Sequence, residues 1–387
     1  MILAHMPTLP PTDRTTQLVA DSQTLRDVAK RLKHKPRIAL DTEAASFHRY
    51  VDRVYLIQIS SGEDTALVDP LAVDDLAPIG SLLNDAKLET IFHDADYDLR
   101  ILDRDYGFRA RNLWDTRIAA QLAGETAFGL GALLERYFDL RLSKKLQRAD
   151  WSRRPLTPAM IEYAAADTAY LPALKDELAK RLEKMGRLHW AEEEFNRLER
   201  VRWTQTDGGD AFLRIKGART LPPKGLAVLK AVWEWREREA ASLDRAPFRV
   251  IHNSALITIA RVAPKNTSAL SRTEGVPQTI ASRHGSALVA AVTRGLAVPE
   301  KDWPRFEHQT RPQTDPDAQQ RYQRLRDLRM ATARIVELDQ GLLCPNGTLL
   351  AIARAAPTST DHLARIVELR QWQREALGDD AILEAAR

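Results

Sequence analysis

The chain contains one cysteine, Cys344, so no internal disulfide can staple it. It lacks any window approaching the roughly 18 consecutive apolar residues of a membrane span. The first ten residues are broken by His5, Pro7 and Pro10, which is not the pattern of a secretory signal. These absences make the cytoplasm the expected location and no membrane the expected partner. A dinucleotide-binding fingerprint is missing too. Gly129-Leu130-Gly131 has neither a third glycine nor a preceding strand and reads as a turn before a helix. Cys344, beside Pro345, has no histidine or aspartate partner that would mark a nucleophile.

Of the 387 residues present, 44% are hydrophobic and 28% charged, the composition of an ordinary globular protein long enough for two or three domains. The net charge of +4 conceals an asymmetry. Residues 1–200 hold 29 Lys and Arg against 32 Asp and Glu, a net −3, and residues 201–387 hold 28 against 21, a net +7. An acidic front half before a basic rear half fits a metal-dependent catalytic domain joined to polyanion-binding modules, and equally fits chance segregation of solvated charge.

The front half alternates strand and helix patterns, the signature of an α/β domain. Arg37-Ile38-Ala39-Leu40-Asp41, Val54-Tyr55-Leu56-Ile57-Gln58-Ile59 and Thr65-Ala66-Leu67-Val68-Asp69 read as strands of an antiparallel meander, with Ser61-Gly62-Glu63-Asp64 as one turn. Thr90-Ile91-Phe92 and Leu113-Trp114 read as further short strands, the first leading into a helix over 96–106. From 128 to 200 the pattern is helical, with Pro155 and Pro158 bracketing a loop and a helix start. After Trp203, Thr206-Asp207-Gly208-Gly209-Asp210 marks a boundary, 221–298 is all-helical, and Pro304, Pro312 and Pro316 mark a second linker before a last helical block. The two blocks resemble each other. Each opens with an Arg-rich helix, 226–241 and 320–338, and then offers a short helix before a proline, 254–263 before Pro264 and 347–356 before Pro357. Trp233 and Trp235 cannot share one helix face, so at least one is core.

Asp41-Thr42-Glu43 ends the first predicted strand. Residues i and i+2 share a face, so both carboxylates converge and Thr42 faces away. Paired carboxylates repel unless a cation lies between them, and oxygen ligands suit Mg²⁺ or Mn²⁺; alone, the pair also fits a solvated turn. In Glu162-Tyr163-Ala164-Ala165-Ala166-Asp167, a spacing of four puts Tyr163 and Asp167 on one helix face, with alanines permitting close approach; a buried tyrosine and an exposed aspartate fit as well. In His93-Asp94-Ala95-Asp96-Tyr97-Asp98, Asp94 or Asp96 suits a helix cap, while Asp98 lies too deep for capping to explain it, and His93 reads as a hydrogen-bonded structural residue.

Asp41-Thr42-Glu43, Asp98 within 93–99, and Tyr163 with Asp167 occur in the order of the three exonuclease motifs of the DEDD superfamily. The chain resembles the ribonuclease D family, through these motifs, through Asp150-Trp151-Ser152-Arg153-Arg154-Pro155-Leu156-Thr157, and through 221–298, which is similar to the helicase and ribonuclease D C-terminal (HRDC) domain. Residues 319–387 are similar to a second copy. Tyrosine at 163 marks the tyrosine subclass, and 44–49 is similar to exosome-associated relatives as well as to bacterial ones.

The resemblance implies an α/β ribonuclease H-like exonuclease domain with a mixed sheet over 1–205, a linker at 206–218, a first all-α HRDC domain at 219–300, a linker at 301–318 and a second HRDC-like domain at 319–387. It implies that Asp41, Glu43, Asp98 and Asp167 hold two divalent ions, Mg²⁺ or Mn²⁺, and that Tyr163 positions water. The implied reaction is 3′–5′ hydrolysis releasing 5′-mononucleotides from RNA 3′ ends, transfer RNA precursors among them, by a monomer. Lys144, Lys145 and Arg148 are candidate phosphate contacts, with a solvated basic loop as the alternative. Residues 220–300 carry 11 Lys and Arg against 6 Asp and Glu, a net +5, which suits phosphate binding, protein binding or support of the nuclease. The competing readings are a 3′–5′ DNA exonuclease, because carboxylate chemistry does not distinguish sugars, and a catalytically silent nucleic-acid-binding protein, which the complete carboxylate set disfavours.

Overall fold

The computed structural model describes residues 15–62, 64–205, 208–306 and 315–387. The first ten residues, Glu63 of the expected turn, Thr206 and Asp207 of the first linker and Pro312 of the second lie outside the described residues.

Three apolar runs, β2 (Arg37–Ala44), β3 (Val54–Ser60) and β4 (Asp64–Val68), form the expected antiparallel meander. β5 (Glu89–Phe92) adds parallel to β2, and β6 (Leu113–Asp115) adds parallel to β5. A further strand, β1 (Thr15–Val19), pairs parallel with β4 at the far edge, so the mixed sheet runs β1-β4-β3-β2-β5-β6. β1 was not expected from the sequence, because only Val19 of Thr-Thr-Gln-Leu-Val is buried and no apolar alternation marks it. Its place comes from ladder hydrogen bonds to β4 rather than from burial.

Helices α1 (Ser22–Leu32), α2 (Ala77–Leu83), α3 (Asp96–Tyr106), α4 (Thr116–Leu122), α5 (Leu130–Phe138), α6 (Pro158–Ala169), α7 (Leu171–Lys184) and α8 (Leu188–Leu198) pack around this sheet. α1 shows the local logic: Asp21 caps it by accepting from the Thr24 amide at 2.8 Å, and Leu25, Val28, Ala29 and Leu32 form the buried stripe. Gly129 stands at the N-cap of α5, the turn expected there. Two expectations need correction. β2 runs past Asp41 to Ala44, so the acidic pair lies inside a strand. Residues 139–157, between α5 and α6, form turns and extended chain rather than helix.

Beyond the sheet domain, α9 (Pro223–Ser242), α10 (Pro247–Val250), α11 (Asn253–Val262), α12 (Thr267–Ser271) and α13 (Gln278–Leu296) make a first helical module. The second comprises α14 (Pro316–Ile335), α15 (Gln340–Leu343), α16 (Asn346–Ala355), α17 (Thr360–Ala364), α18 (Gln371–Leu377) and α19 (Asp379–Ala385). The repeat seen in the sequence is structural. Buried Arg236 of α9 donates to Asn253 Oδ1 at 2.6 Å, and buried Arg329 of α14 donates to Asn346 Oδ1 at 2.9 Å. α11 and α16 both end on a left-handed alanine, Ala263 at φ 47° and Ala356 at φ 43°, each followed by a proline. Trp235 is core and Trp233 half-buried.

The modules attach differently. The first has its own core and meets the sheet domain along a seam, where the Ala246 amide donates to the His48 carbonyl at 3.2 Å. The second shares one continuous apolar core with the sheet domain, Leu325, Leu343 and Trp372 joining Leu122 and Trp190. Trp190 and Trp372 stack at 5.4 Å. Glu193 of α8 accepts from the Gln371 and Trp372 amides at 2.9 and 2.8 Å, satisfying the N-terminus of α18 from another helix. Cys344 is buried in this core, which pushes its thiol pKa up to about 12 and suits a packing role. Among the described residues, no helix is long and apolar enough to cross a membrane.

Candidate active site

β2 pairs with β5 only through Arg37, Ile38 and Ala39, and then outruns it. Asp41 and Glu43 therefore lie where one side of β2 is open, while the other remains paired to β3 opposite Gln58 and Leu56. Into the open side comes the amino-terminal turn of α3. β5 ends at Phe92, Asp94 turns the chain at φ 70°, and Asp98 follows in the first turn of the helix.

Across the sheet, α6 packs on β2, β3 and β4. Thr157 caps it, accepting from the Met160 amide at 3.3 Å, and Pro158 sits at its first position, where the missing N–H costs nothing. Ala164 is fully buried, so the alanines do allow the close approach expected of them. Tyr163 and Asp167, one turn apart, face the acidic strand. Beneath them Trp151, Leu156, Met160 and Ala164 form a small core with Tyr55, Leu56 and Leu67. Arg154 pins this segment to the sheet, reaching Asp69 through two N–H groups at 2.5 and 2.7 Å and the Tyr55 carbonyl at 2.7 Å.

The carboxylates of Asp41, Glu43 and Asp167 converge, with ligand atoms all within 4.8 Å of one another. Asp98 is outside this trio but beside it: the Thr42 hydroxyl donates to Asp98 Oδ1, and Asp98 and Asp41 repel each other. Burial raises the pKa of every member, Asp41 to about 6, and repulsion from neighbouring carboxylates adds to it at Asp167, raised to about 8, and at Glu43 and Asp98, both well above the carboxylate range. No cationic side chain is among the groups that set these values. Four clustered carboxylates, Asp98 buried and the other three half-buried, with no basic partner among the described residues, are the chemistry of a hard divalent cation site.

The other expected residues separate. Lys145 lines the cleft along α6 together with Tyr163 and Asp167. The stem of Lys144 lies over Gly131 of α5, and the Arg148 guanidinium lies 5.2 Å over the Phe47 ring. His93 is structural in its contacts: its Nδ1 is 2.9 Å from Thr116 Oγ1, and burial, with Arg117 nearby, depresses its pKa to about 4. Asp94 and Asp96 do not cap α3; they pair with Arg117 and Arg100 instead. The group that does anchor that turn is Asp115, which accepts from the Ala95 amide at 2.7 Å and from two amides of α4. Asp115 and Thr42 are the supporting residues that sequence reasoning missed. Asp115 ends β6 and caps α4, a position where aspartate is common, which is a usable signal, but strand alternation pointed Thr42 away from any role. It does point away from Asp41 and Glu43, and that is the side by which Asp98 arrives.

Residues 16–183 match the family model described as 3′-5′ exonuclease, and residues 225–292 and 318–385 each match that of the HRDC domain. Ribonuclease D of Granulibacter bethesdensis is 30% identical over 376 residues, covering 94% of this chain and 91% of that protein. Ribonuclease D of Escherichia coli is 31% identical over 290 residues, covering 75% and 77%. Among solved structures, Escherichia coli RNase D, described as an exoribonuclease involved in structured RNA processing, superposes with a TM-score of 0.70 at 26% identity over 96% of this chain and 98% of that one. The catalytic core of RRP6 from Trypanosoma brucei follows at 0.65 and 25%, covering 75% and 82%. With its mixed sheet, converging acidic cluster and two HRDC domains, the chain belongs to the ribonuclease D family of 3′–5′ exoribonucleases.

Proposed function

We propose that this protein is a two-metal-ion exoribonuclease that removes 5′-mononucleotides one at a time from the 3′ ends of structured RNAs, transfer RNA precursors among them. The observation that carries this reading is the convergence of Asp41, Glu43 and Asp167 within 4.8 Å, with Asp98 alongside and no cation paired with them among the described residues. These four residues would hold the Mg²⁺ or Mn²⁺ ions. Bound divalent ions supply a lowered pKa for the attacking water and neutralisation of the departing 3′ oxygen. In the balanced reaction, the water oxygen bonds to phosphorus, the P–O3′ bond breaks, and the proton given up by water, directly or by way of solvent, is matched by one gained by the leaving 3′ oxygen, which becomes a hydroxyl.

The chain's own residues do the positioning. Burial and the neighbouring carboxylates of Asp167, Glu43 and Asp41 push the Tyr163 phenol above its ordinary value near 10, so it stays protonated at neutral pH and acts as a hydrogen-bonding positioner of water rather than as a base. Trp151, its ring 6.0 Å from that of Tyr163, fixes the phenol from below. Lys145, in the cleft beside Tyr163 and Asp167, is placed to hold a substrate phosphate. Incubating the purified full-length protein with matched 3′-labelled RNA and DNA, with Mg²⁺, Mn²⁺ or chelator, tests the reading. Metal-dependent release of labelled mononucleotide from RNA is expected, and release that persists in excess chelator would refute it.

A further inference from the structure

The seam between the exonuclease domain and the first HRDC domain forms a half-open cleft of about 760 Å³, walled by residues of the 45–53 loop, the 148–154 segment and the 243–252 segment. Four arginines line it, Arg49, Arg153, Arg245 and Arg249, against two acids, Asp150 and Asp244. Both acids are already occupied. Asp150 accepts from Ser152 and pairs with Arg153 at 3.2 Å, and Asp244 pairs with Arg49 at 3.2 Å and accepts from the Tyr50 amide at 3.3 Å. That leaves an excess of positive charge. Among the described residues Arg245 has no acidic partner, and Arg249 commits only its Nε, to the Phe47 carbonyl, so its outer N–H groups remain to be satisfied. The first turn of α13, which closes another wall, brings no acidic residue.

At the rim stand two aromatic rings that a folded chain would ordinarily bury. Phe47 and Phe248 are 43% and 40% exposed and meet edge to face at 6.2 Å. Two stretches of chain lead from the seam towards the candidate active site. Phe47 is four residues beyond Glu43, and Trp151, next to the Asp150 of the wall, is the residue that touches Tyr163. Exposed rings beside uncommitted guanidinium groups are what a single nucleic-acid strand requires, because any base has a face to stack and each linkage carries one negative charge.

We infer that this seam is a binding subsite for single-stranded RNA on the 5′ side of the terminal nucleotide, with Arg245 and Arg249 holding backbone phosphates and Phe47 and Phe248 stacking a base. The inference rests on the exonuclease reading of the neighbouring carboxylates, and it gives the first HRDC domain a direct share in substrate binding. Arg148, already lying over Phe47, forms the outer edge of the same surface.

The test compares full-length wild type with Arg245→Glu and Phe248→Ala, each on a dinucleotide and on a single-stranded RNA of roughly ten nucleotides, within the span that such grooves cover. The Arg245 side chain is exposed and makes no ion pair, so its replacement should leave the fold intact, which circular dichroism checks. In both variants the ratio of kcat/KM on the longer RNA to that on the dinucleotide should fall about tenfold, the size of one lost charge-assisted contact or stack. For Arg245→Glu, the log–log salt slope of binding to the longer RNA in Ca²⁺ should also become shallower, by about 0.7 per phosphate released. Unchanged ratios with normal wild-type turnover would overturn the subsite alone. Wild-type protein that degraded neither RNA with Mg²⁺ or Mn²⁺ would overturn the exonuclease reading and the subsite with it.

Discussion

Thr42→Val removes one hydroxyl and almost nothing else. Valine matches threonine in volume and suits a strand, so β2 and its pairing with β3 should persist. What is lost is the hydrogen bond from Thr42 Oγ1 to Asp98 Oδ1, between side chains of residues only 8% and 6% exposed. A hydrogen bond to a charged group contributes about 1.5–3 kcal/mol. If that whole amount holds the Asp98 carboxylate where the cation needs it, the loss corresponds to about 10- to 150-fold in rate at about 1.36 kcal/mol per tenfold. This agrees with the 10- to 100-fold cost usual for residues that orient metal ligands. The assays are steady-state kcat and KM on a labelled RNA, together with a calorimetric Mn²⁺ titration. Both kcat and Mn²⁺ affinity should fall, and Thr42→Ser, which restores the hydroxyl, should recover most of the loss. A Thr42→Val enzyme within about twofold of wild type in both assays would refute the positioning role and show that Asp98 is held by its helix alone.

Asp41→Asn or Asp167→Asn should remove nearly all nuclease activity with the far-UV spectrum preserved, because an amide cannot balance a second cation; near-normal turnover in metal-replete buffer would contradict the site assignment. Tyr163→Phe should lower kcat by about 10²–10⁴ while leaving Mn²⁺ affinity intact, and a lost affinity would instead place the phenol among the ligands. His93, with a folded pKa of about 4 against 6.5 for the free side chain, contributes stability that is complete above about pH 6.5 and is lost as pH falls towards 4. Chemical unfolding across that window should show a loss of about 3 kcal/mol that is absent in His93→Gln, and parallel curves would show that burial does not control this ring. Trp372→Ala, at a side chain 1% exposed and stacked on Trp190, should destabilise the protein by about 3–5 kcal/mol and loosen both domains together; separate melting of the second HRDC domain, with the exonuclease transition unmoved, would show that the shared core is not cooperative.

The last case revises an expectation. The charge split at residue 200 suggests an acidic front half and a separate basic rear half. In the folded chain the second HRDC domain is part of the exonuclease core, so truncation before it exposes Trp190 and leaves Glu193 and Glu194 without the partners they hold. The +7 of residues 201–387 is thus not one RNA-binding surface. The arginines free for a ligand at the seam lie in the first HRDC domain, whereas Arg370 of the second is already paired with Glu194 at 2.5 Å.

Within short spans, the sequence by itself determined much of this protein. Strand alternation put Asp41 and Glu43 on one face, a helical spacing of four stacked Tyr163 with Asp167, and the matching Arg-rich helices and proline-terminated helices revealed two similar helical blocks. Each of these rests on the fixed 2.0- and 3.6-residue periods of the backbone, which hold wherever the segment ends up. What only the tertiary structure decided are the pairings between residues far apart in the chain. β1 exists because β4 offers it a ladder, Thr42 acquires a role because β5 stops short and admits Asp98, and α18 is capped by a glutamate on α8. Nothing local encodes these contacts: exposed strands, lone hydroxyls and surface glutamates look alike in sequence, and only the packing of one element against another gives each its partner.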